Sequence, residues 1–417
     1  MLPPAEQSLV DRDPDLPGLA LLLDRDRLTR WLGSLLGRPV TVRLHHLRYK
    51  PGTSCVLHVQ AGDQALLVAA TARSEAAKHA KTLERSAGSI IGTDPGRQVL
   101  VGTPAADRDL PGVALLTDPA QRDRLLGRLL RHGPVVDPAV EPVLLRYKPH
   151  RRWVGLLPSA TGEHVLLRVQ RPAATQAAAH ALTALAGTAP RTPQLLGCHP
   201  RRGALAAAYL PGTTAQEAPA EAVAAVGRAL AALHHHPSRT LPQRRADADA
   251  EQVRAAADQL AVLLPHLAVR AHHLAEQVAA LLTVAGGQPS CVHGDFSLDQ
   301  AVIGPEGEAA LIDLDAAAVA DPAADLGCAG AALVRDRVLG ARTEADQQRR
   351  LTALHQGYTA ARGPARTDRV RGHTAAHLLR LTAEPFRLGQ VPDWPAAAAA
   401  LLTEAEHVAA EVGGVRT

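Results

Sequence analysis

The chain has 417 residues, 46% hydrophobic and 21% charged, with a formal net charge of +4. That is an ordinary globular composition, long enough for two or three domains, and no run of eighteen apolar residues is present that would predict a membrane span. Aromatic residues make up only 2%, so alanine, leucine and valine must fill the cores, which favours many helices.

The first feature met along the chain is a repeat. Leu-Arg-Tyr-Lys-Pro occurs at residues 47–51 and again at 145–149, in a sequence with only four tyrosines. The residues after each pentapeptide run in parallel. The first copy continues through an apolar run at 55–59, a turn at Gly62-Asp63, a strand at 65–70 and a helix at 74–87. The second continues through 153–157, a turn at Thr161-Gly162, a strand at 164–170 and a helix at 175–185. Two further strand-like runs come after each helix, at 98–102 and 113–117 in the first copy and at 194–197 and 204–209 in the second. The turn of the second copy, Pro149-His150-Arg151-Arg152, is basic, whereas the first has Pro51-Gly52-Thr53-Ser54. Arg151 and Arg152 are therefore candidates for contact with phosphate.

Beyond the repeat, Val223, Val226, Leu230 and Leu233 mark a helix ending at His234-His235-His236, where imidazoles suit the helix dipole. Residues 241–249 read as a polar loop. Helices are predicted at 250–263, 267–284, 325–339, 344–360, 366–382 and 394–412, with Glu384-Pro385-Phe386-Arg387 as a break. Four cysteines lie far apart without C-x-x-C spacing, so neither disulfides nor a zinc site is expected. The N-terminus lacks the pattern of a signal peptide, and a cytoplasmic protein is expected. Charge is uneven: residues 1–213 carry +10 and residues 214–417 carry −6. A basic front half suits a phosphate-rich ligand; with no aromatic residues interleaved for stacking, nucleic acid is not an expected partner.

The most informative stretch is His293-Gly294-Asp295-Phe296-Ser297-Leu298-Asp299-Gln300, followed by Ile312-Asp313-Leu314-Asp315. Residues 301–304 and 308–312 read as a hairpin about Pro305-Glu306-Gly307. Pairing Ile303 with Ala310 would set Gln300 beside Asp313, with Cα atoms about 4.5–5.5 Å apart. An amide oxygen and a carboxylate would then meet one magnesium ion, which prefers oxygen ligands, while Asp295 would accept the proton of an attacking hydroxyl. Phosphoryl transfer needs this kind of positioning and charge neutralisation.

These motifs resemble the catalytic loop and metal-binding motif of the aminoglycoside phosphotransferase family, and Asp321-Pro322-Ala323-Ala324-Asp325-Leu326-Gly327 resembles the element that comes after them. The resemblance implies an α+β, protein-kinase-like two-lobe fold: a small antiparallel β lobe and a mostly helical lobe, preceded here by a degenerate copy of the small lobe. The implied domains are 1–137, 138–213 and 214–417. It further implies Asp295 as catalytic base, Asp313 with Asp315 in the metal motif, and Gln300 where many relatives carry Asn. His293 and Asp325 would brace the catalytic loop. Arg168 stands where relatives place a strand lysine on the nucleotide phosphates, and the helix after it lacks the acid that usually holds that base. Tyr209 begins the stretch resembling the hinge. ATP and Mg2+ are the implied cofactors and a small-molecule hydroxyl compound the implied partner, with ATP between the second small lobe and the helical lobe. The altered lysine position and the missing helix acid keep open a nucleotide-binding regulator with little turnover.

Overall fold

The computed structural model describes residues 2–413 except 160–161, 188, 238–239 and 285–287. The chain divides into two compact units, one built from residues 1–176, 196–208 and 386–392, the other from 177–195, 209–385 and 393–417.

The first unit opens with α1 (Pro4–Arg12), α2 (Leu19–Leu23) and α3 (Arg25–Leu35), followed by β1 (Val42–Lys50), β2 (Ser54–Ala61) and β3 (Gln64–Thr71), helix α4 (Ala76–Arg85), and strands β4 (Ile90–Asp94) and β5 (Val99–Gly102). The pattern then recurs as α5 (Pro111–Thr117), α6 (Pro119–Leu129), β6 (Val143–Lys148), β7 (Arg152–Leu157), β8 (Val165–Gln170), α7 (Pro172–Ala184), β9 (Leu195–His199) and β10 (Ala204–Ala208), with the end of α7 counted in the second unit. Both sheets have the same order, β1-β2-β3-β5-β4 and β6-β7-β8-β10-β9. The registers match too: Ala70 faces Val99 as Val169 faces Ala204. Ala69 is thus the counterpart of Arg168.

The repeat also reaches further upstream than the pentapeptide. Asp13-Pro14-Asp15-Leu16-Pro17-Gly18 is matched by Asp107-Arg108-Asp109-Leu110-Pro111-Gly112. Each hexapeptide does the same work. The first carboxylate takes a tyrosine hydroxyl and a turn amide: Tyr49 and Gly52 at 2.8 and 2.9 Å for Asp13, Tyr147 and His150 at 2.9 and 2.7 Å for Asp107. Each glycine lies against its own sheet so closely that a Cβ would collide: 2.7 Å from Ala70 at Gly18, 2.6 Å from the Arg202 carbonyl at Gly112. The next helix in each copy is capped by an aspartate, Asp24 or Asp118, accepting from the backbone three residues on.

This architecture corrects the expectation of a strand at 113–117, which is helix α5. A short apolar run is ambiguous by periodicity alone, and Pro111 in the first turn of the helix is the local signal that decides it. Val113 and Leu116, with Leu125, Leu126 and Leu129 of α6, are buried in one core with Val56, Leu67 and Leu100 of the first sheet and Trp153, Leu167 and Val169 of the second. An amphipathic strand has one apolar face per sheet, whereas this helix pair meets both sheets. The remaining strand of the first sheet, β4, lies outside the runs that read as strands.

The second unit is mostly helical: α8 (Val223–His235), α9 (Ala246–Leu263), α10 (Ala268–Thr283), α11 (Ala323–Val338), α12 (Glu344–Arg362), α13 (Thr367–Leu381), the short α14 (Glu384–Leu388) and α15 (Trp394–Gly413). Helix α9 starts inside the expected loop at 241–249, with Asp247 and Asp249 in its first turn, where carboxylates suit the dipole. The expected break at 384–387 is itself a helical turn, with Pro385 at its tolerated second position. Two small sheets carry the motifs. β11 (Thr213–Thr214), β13 (Ala301–Ile303) and β14 (Ala309–Leu311) form one; β12 (Ser290–Val292) and β15 (Ala318–Ala320) form the other. No described helix is long and apolar enough to cross a membrane.

Gly112→Ala should lower the thermal unfolding midpoint by the equivalent of about 1–3 kcal/mol, the usual range for forcing a methyl against packed backbone. An unchanged midpoint in calorimetry would show that α5 is not held tightly on its sheet.

Candidate active site

The loop from His293 to Ser297 leaves β12 and is tied down by one carboxylate. Asp325, in the first turn of α11 and fully buried, accepts from the backbone N–H groups of His293 (2.7 Å) and Gly294 (2.8 Å) and from His234 Nε2 (3.0 Å). Burial works to raise its pKa, but the His234 bond, the neighbouring imidazoles and the Gly294 amide outweigh that and hold it below the usual carboxylate range. A carboxylate only accepts, so His234 Nε2 donates, and its Nδ1 pairs with the Tyr358 hydroxyl at 2.8 Å. Gly294 has φ +89°, and a Cβ there would lie 2.1 Å from the Ala316 carbonyl, so no other residue fits. Its own carbonyl accepts from Arg244 at 2.8 Å.

With its neighbours pinned, Asp295 projects outward, its side chain 55% exposed and 4.0 Å from Arg380. Behind it, burial pushes the Cys328 thiol up to about 12 and, with Arg380 adding to the effect, His377 down to about 3. Neither group is poised to share the acid–base chemistry. The two cysteines flanking the motif, Cys291 and Cys328, are buried packing residues.

The hairpin differs from its expected register by one residue. Val302, not Ile303, faces Ala310, and the Ile312 amide bonds the Gln300 carbonyl at 2.9 Å. Gln300 is therefore level with Ile312. The Ser297 cap sets this offset: Gln300 closes a 3-10 turn, its Oε1 accepting from the Ser297 amide at 3.1 Å. Asp313 follows at φ +62°, ψ +44°, a left-handed conformation that costs a non-glycine residue roughly 1 kcal/mol or more. The turn aims its carboxylate differently from a continuing strand, and Asp315 lies in the 3-10 turn after it. His293 couples the two motifs, its Nε2 donating to the Ile312 carbonyl at 2.8 Å. Among the described residues no three His, Cys, Asp or Glu side chains gather as a ready cation cage.

The cationic residues expected to meet nucleotide lie in or beside the first unit's second sheet. Arg168 is on its central strand β8, only 7% exposed, not at a solvated edge. Arg151 sits exposed in the β6–β7 turn, and Arg152 begins β7 opposite Lys148. Tyr209 directly follows β10 and is 36% exposed. The turn is held by His150 at φ +60°, where the first repeat has Gly52 at +61°. The imidazole Nδ1 is 3.1 Å from Asp107 and 3.4 Å from Asp109. Burial disfavours its charged form, but these two carboxylates prevail and raise its pKa to about 9. Asp109 is also held by Arg171 at 2.8 Å.

Sequence reasoning misses His234, Arg244 and Arg380. Local pattern gives His234 only a dipole-capping role, and its pairing with Asp325 spans 91 positions. Arg244 lies in a stretch with no periodicity to interpret.

Residues 156–366, just over half of the chain, match the description "Phosphotransferase enzyme family". The chain belongs to that family. Solved structures are similar to it as well. A Ralstonia eutropha protein described as an aminoglycoside phosphotransferase is 14% identical, with 70% of this chain and 98% of that one covered at a TM-score of 0.51. A choline/ethanolamine kinase family protein from Mesorhizobium loti is 20% identical over 70% and 94% of the two chains, at 0.49. An aminoglycoside phosphotransferase from Streptomyces rimosus is 20% identical over 64% and 98%, at 0.45. A search of curated proteins returns no match. The α+β, protein-kinase-like fold expected from the motifs is the fold of this family member.

Two outcomes test this geometry. Asp325→Asn should destabilise the second unit by about 3 kcal/mol or more in urea unfolding, because it disturbs three bonds to one buried charge. His150 has a folded pKa above its unfolded value near 6.5, so its ion pairs stabilise fully below about pH 6.5 and lose that contribution as pH rises through about 9. The difference in unfolding free energy between the native chain and His150→Gly should shrink across that window; a difference flat with pH would contradict the pairing.

Proposed function

We propose that the protein transfers the γ-phosphoryl group of ATP, with magnesium, to a hydroxyl of a small molecule. The observation that carries this reading is the Asp325-pinned loop, which leaves Asp295 exposed while His293 ties that loop to the backbone preceding Asp313.

In this reading Asp295 accepts the proton of the acceptor hydroxyl as it attacks. Asp313, Gln300 and Asp315 are hard oxygen donors of the kind that hold magnesium. Gln300 Oε1 already takes the Ser297 amide but keeps a second lone pair for a cation. When bound, the ion neutralises charge on the phosphate oxygens. Arg168, Arg151 and Arg152 meet the nucleotide phosphates, with guanidinium forks matching phosphate geometry. Tyr209 begins the segment whose backbone receives the base.

The acceptor is an aminoglycoside, a sugar or an amino alcohol. Among the structures of like fold, one holds ADP and streptomycin and another holds ADP and spectinomycin. One feature favours a second reading, a nucleotide-binding regulator: α7, the helix after the strand of Arg168, contains no Asp or Glu.

Incubation with ATP and magnesium against a panel of the three acceptor classes, read by mass spectrometry for added phosphate, decides between them. Asp295→Asn should reduce kcat by about 10²–10⁴-fold while leaving ATP affinity nearly unchanged. Full turnover in that variant would remove Asp295 from its role. Tight ATP binding without phosphorylation of any acceptor would favour the regulator.

A further inference from the structure

The first repeat carries a cleft of its own. It opens on the sheet face bearing Ala69, the counterpart of Arg168, and its cavity volume of about 60 Å3 suits a small group. Val56, Leu67, Ala69 and Leu100 form an apolar floor, and the rim is polar.

Three features of the rim point to one kind of ligand. Lys78 and Arg108 reach it from α4 and from the second Asp-x-Asp-Leu-Pro-Gly segment, and His150 reaches it from the β6–β7 turn. Glu75 is the only carboxylate among the lining residues and already pairs with Lys78 at 3.4 Å. Asp107 and Asp109 lie beside this rim and are both engaged by His150; Asp109 also pairs with Arg171 at 2.8 Å and more loosely with Arg108 at 3.8 Å, which leaves the Arg108 fork with N–H groups for a ligand. Finally, His79 lines the cleft at 8% exposure; its Nδ1 meets Thr71 Oγ1 at 3.3 Å, and its Nε2 has no hydrogen-bond partner among the described residues. A buried nitrogen without a partner is unfavourable, and a ligand oxygen at the cleft would satisfy it. The hydroxyl-bearing residues Thr53 and Ser54 complete the lining at the β1–β2 turn.

We propose that this cleft binds a phosphate-sized oxyanion, either free phosphate or the phosphate end of a small phosphomonoester, held by Lys78, Arg108 and His79. The strand lysine position is apolar here, so the charge comes instead from the helix after it and from the neighbouring repeat. The apolar floor lies under the non-phosphate part of an ester. The site is separate from the arginines assigned to ATP, and it stands or falls independently of phosphoryl transfer.

The test is calorimetric titration of the full chain with inorganic phosphate and, separately, with glycerol 3-phosphate. Saturable binding is expected with Kd on the order of 1 mM or tighter. Lys78→Ala with Arg108→Ala should weaken it at least tenfold. Both side chains reach solvent, so the double variant should fold, checked by its melting curve. Arg151→Ala with Arg168→Ala should leave this binding in place. Tighter binding of the ester assigns the site to phosphomonoesters, and equal binding assigns it to free phosphate; both support the proposal. It is overturned by an absence of saturation up to roughly ten times that concentration, or by binding that survives the Lys78/Arg108 changes and is lost with Arg151 and Arg168.

Discussion

Asp325 is the constraint on which the candidate catalytic site depends. Removing a carboxylate from water costs several kcal/mol unless its lone pairs are filled. Two backbone amides of the His293–Gly294 segment and the His234 imidazole fill them, and the ionised form is favoured despite complete burial. The same bonds position the catalytic loop. They dictate a glycine at 294 and leave Asp295 as the side chain that reaches solvent. His293 then carries the constraint across to Ile312 and so to the turn at Asp313.

The first unit uses an aspartate in a related way, twice. Asp13 and Asp107 each join a tyrosine hydroxyl to a turn amide, so the turn between the first two strands of each sheet is held from the segment that precedes α2 or α5. The copies have diverged at that turn. Gly52 takes the left-handed conformation freely; His150 offsets its strain through its charge, with two carboxylates as partners. The faces have diverged as well. Arg168 stands on the second sheet where Ala69 stands on the first, and Ala69 lies in the core shared with α5 and α6.

Much of this is legible in the residue order. The Leu-Arg-Tyr-Lys-Pro repeat announces two sheets of like topology because strand, turn and helix signals come after it in the same order each time. The helices of the second unit are readable from apolar spacing to within a few residues. The spacing of Asp295, Gln300 and Asp313 is enough to suggest a hairpin. The one-residue error in its register arises because a side-chain cap at Ser297, invisible to strand periodicity, decides where pairing begins. The helix at 111–117 reads as a strand because an apolar run of that length fits either period, and its burial against two sheets is a tertiary fact.

The sequence by itself determined the chemistry available: which carboxylates, amides and guanidinium groups exist, and which of them fall on the same local element, since turns, caps and periodicity act over a few residues. Only the tertiary structure decided which distant groups meet. His234 reaches Asp325 across 91 positions, and Arg244 reaches the Gly294 carbonyl across 50. Such contacts leave no periodic trace in the chain, because the requirement they satisfy, a partner for every buried polar atom, arises only once folding has removed the water.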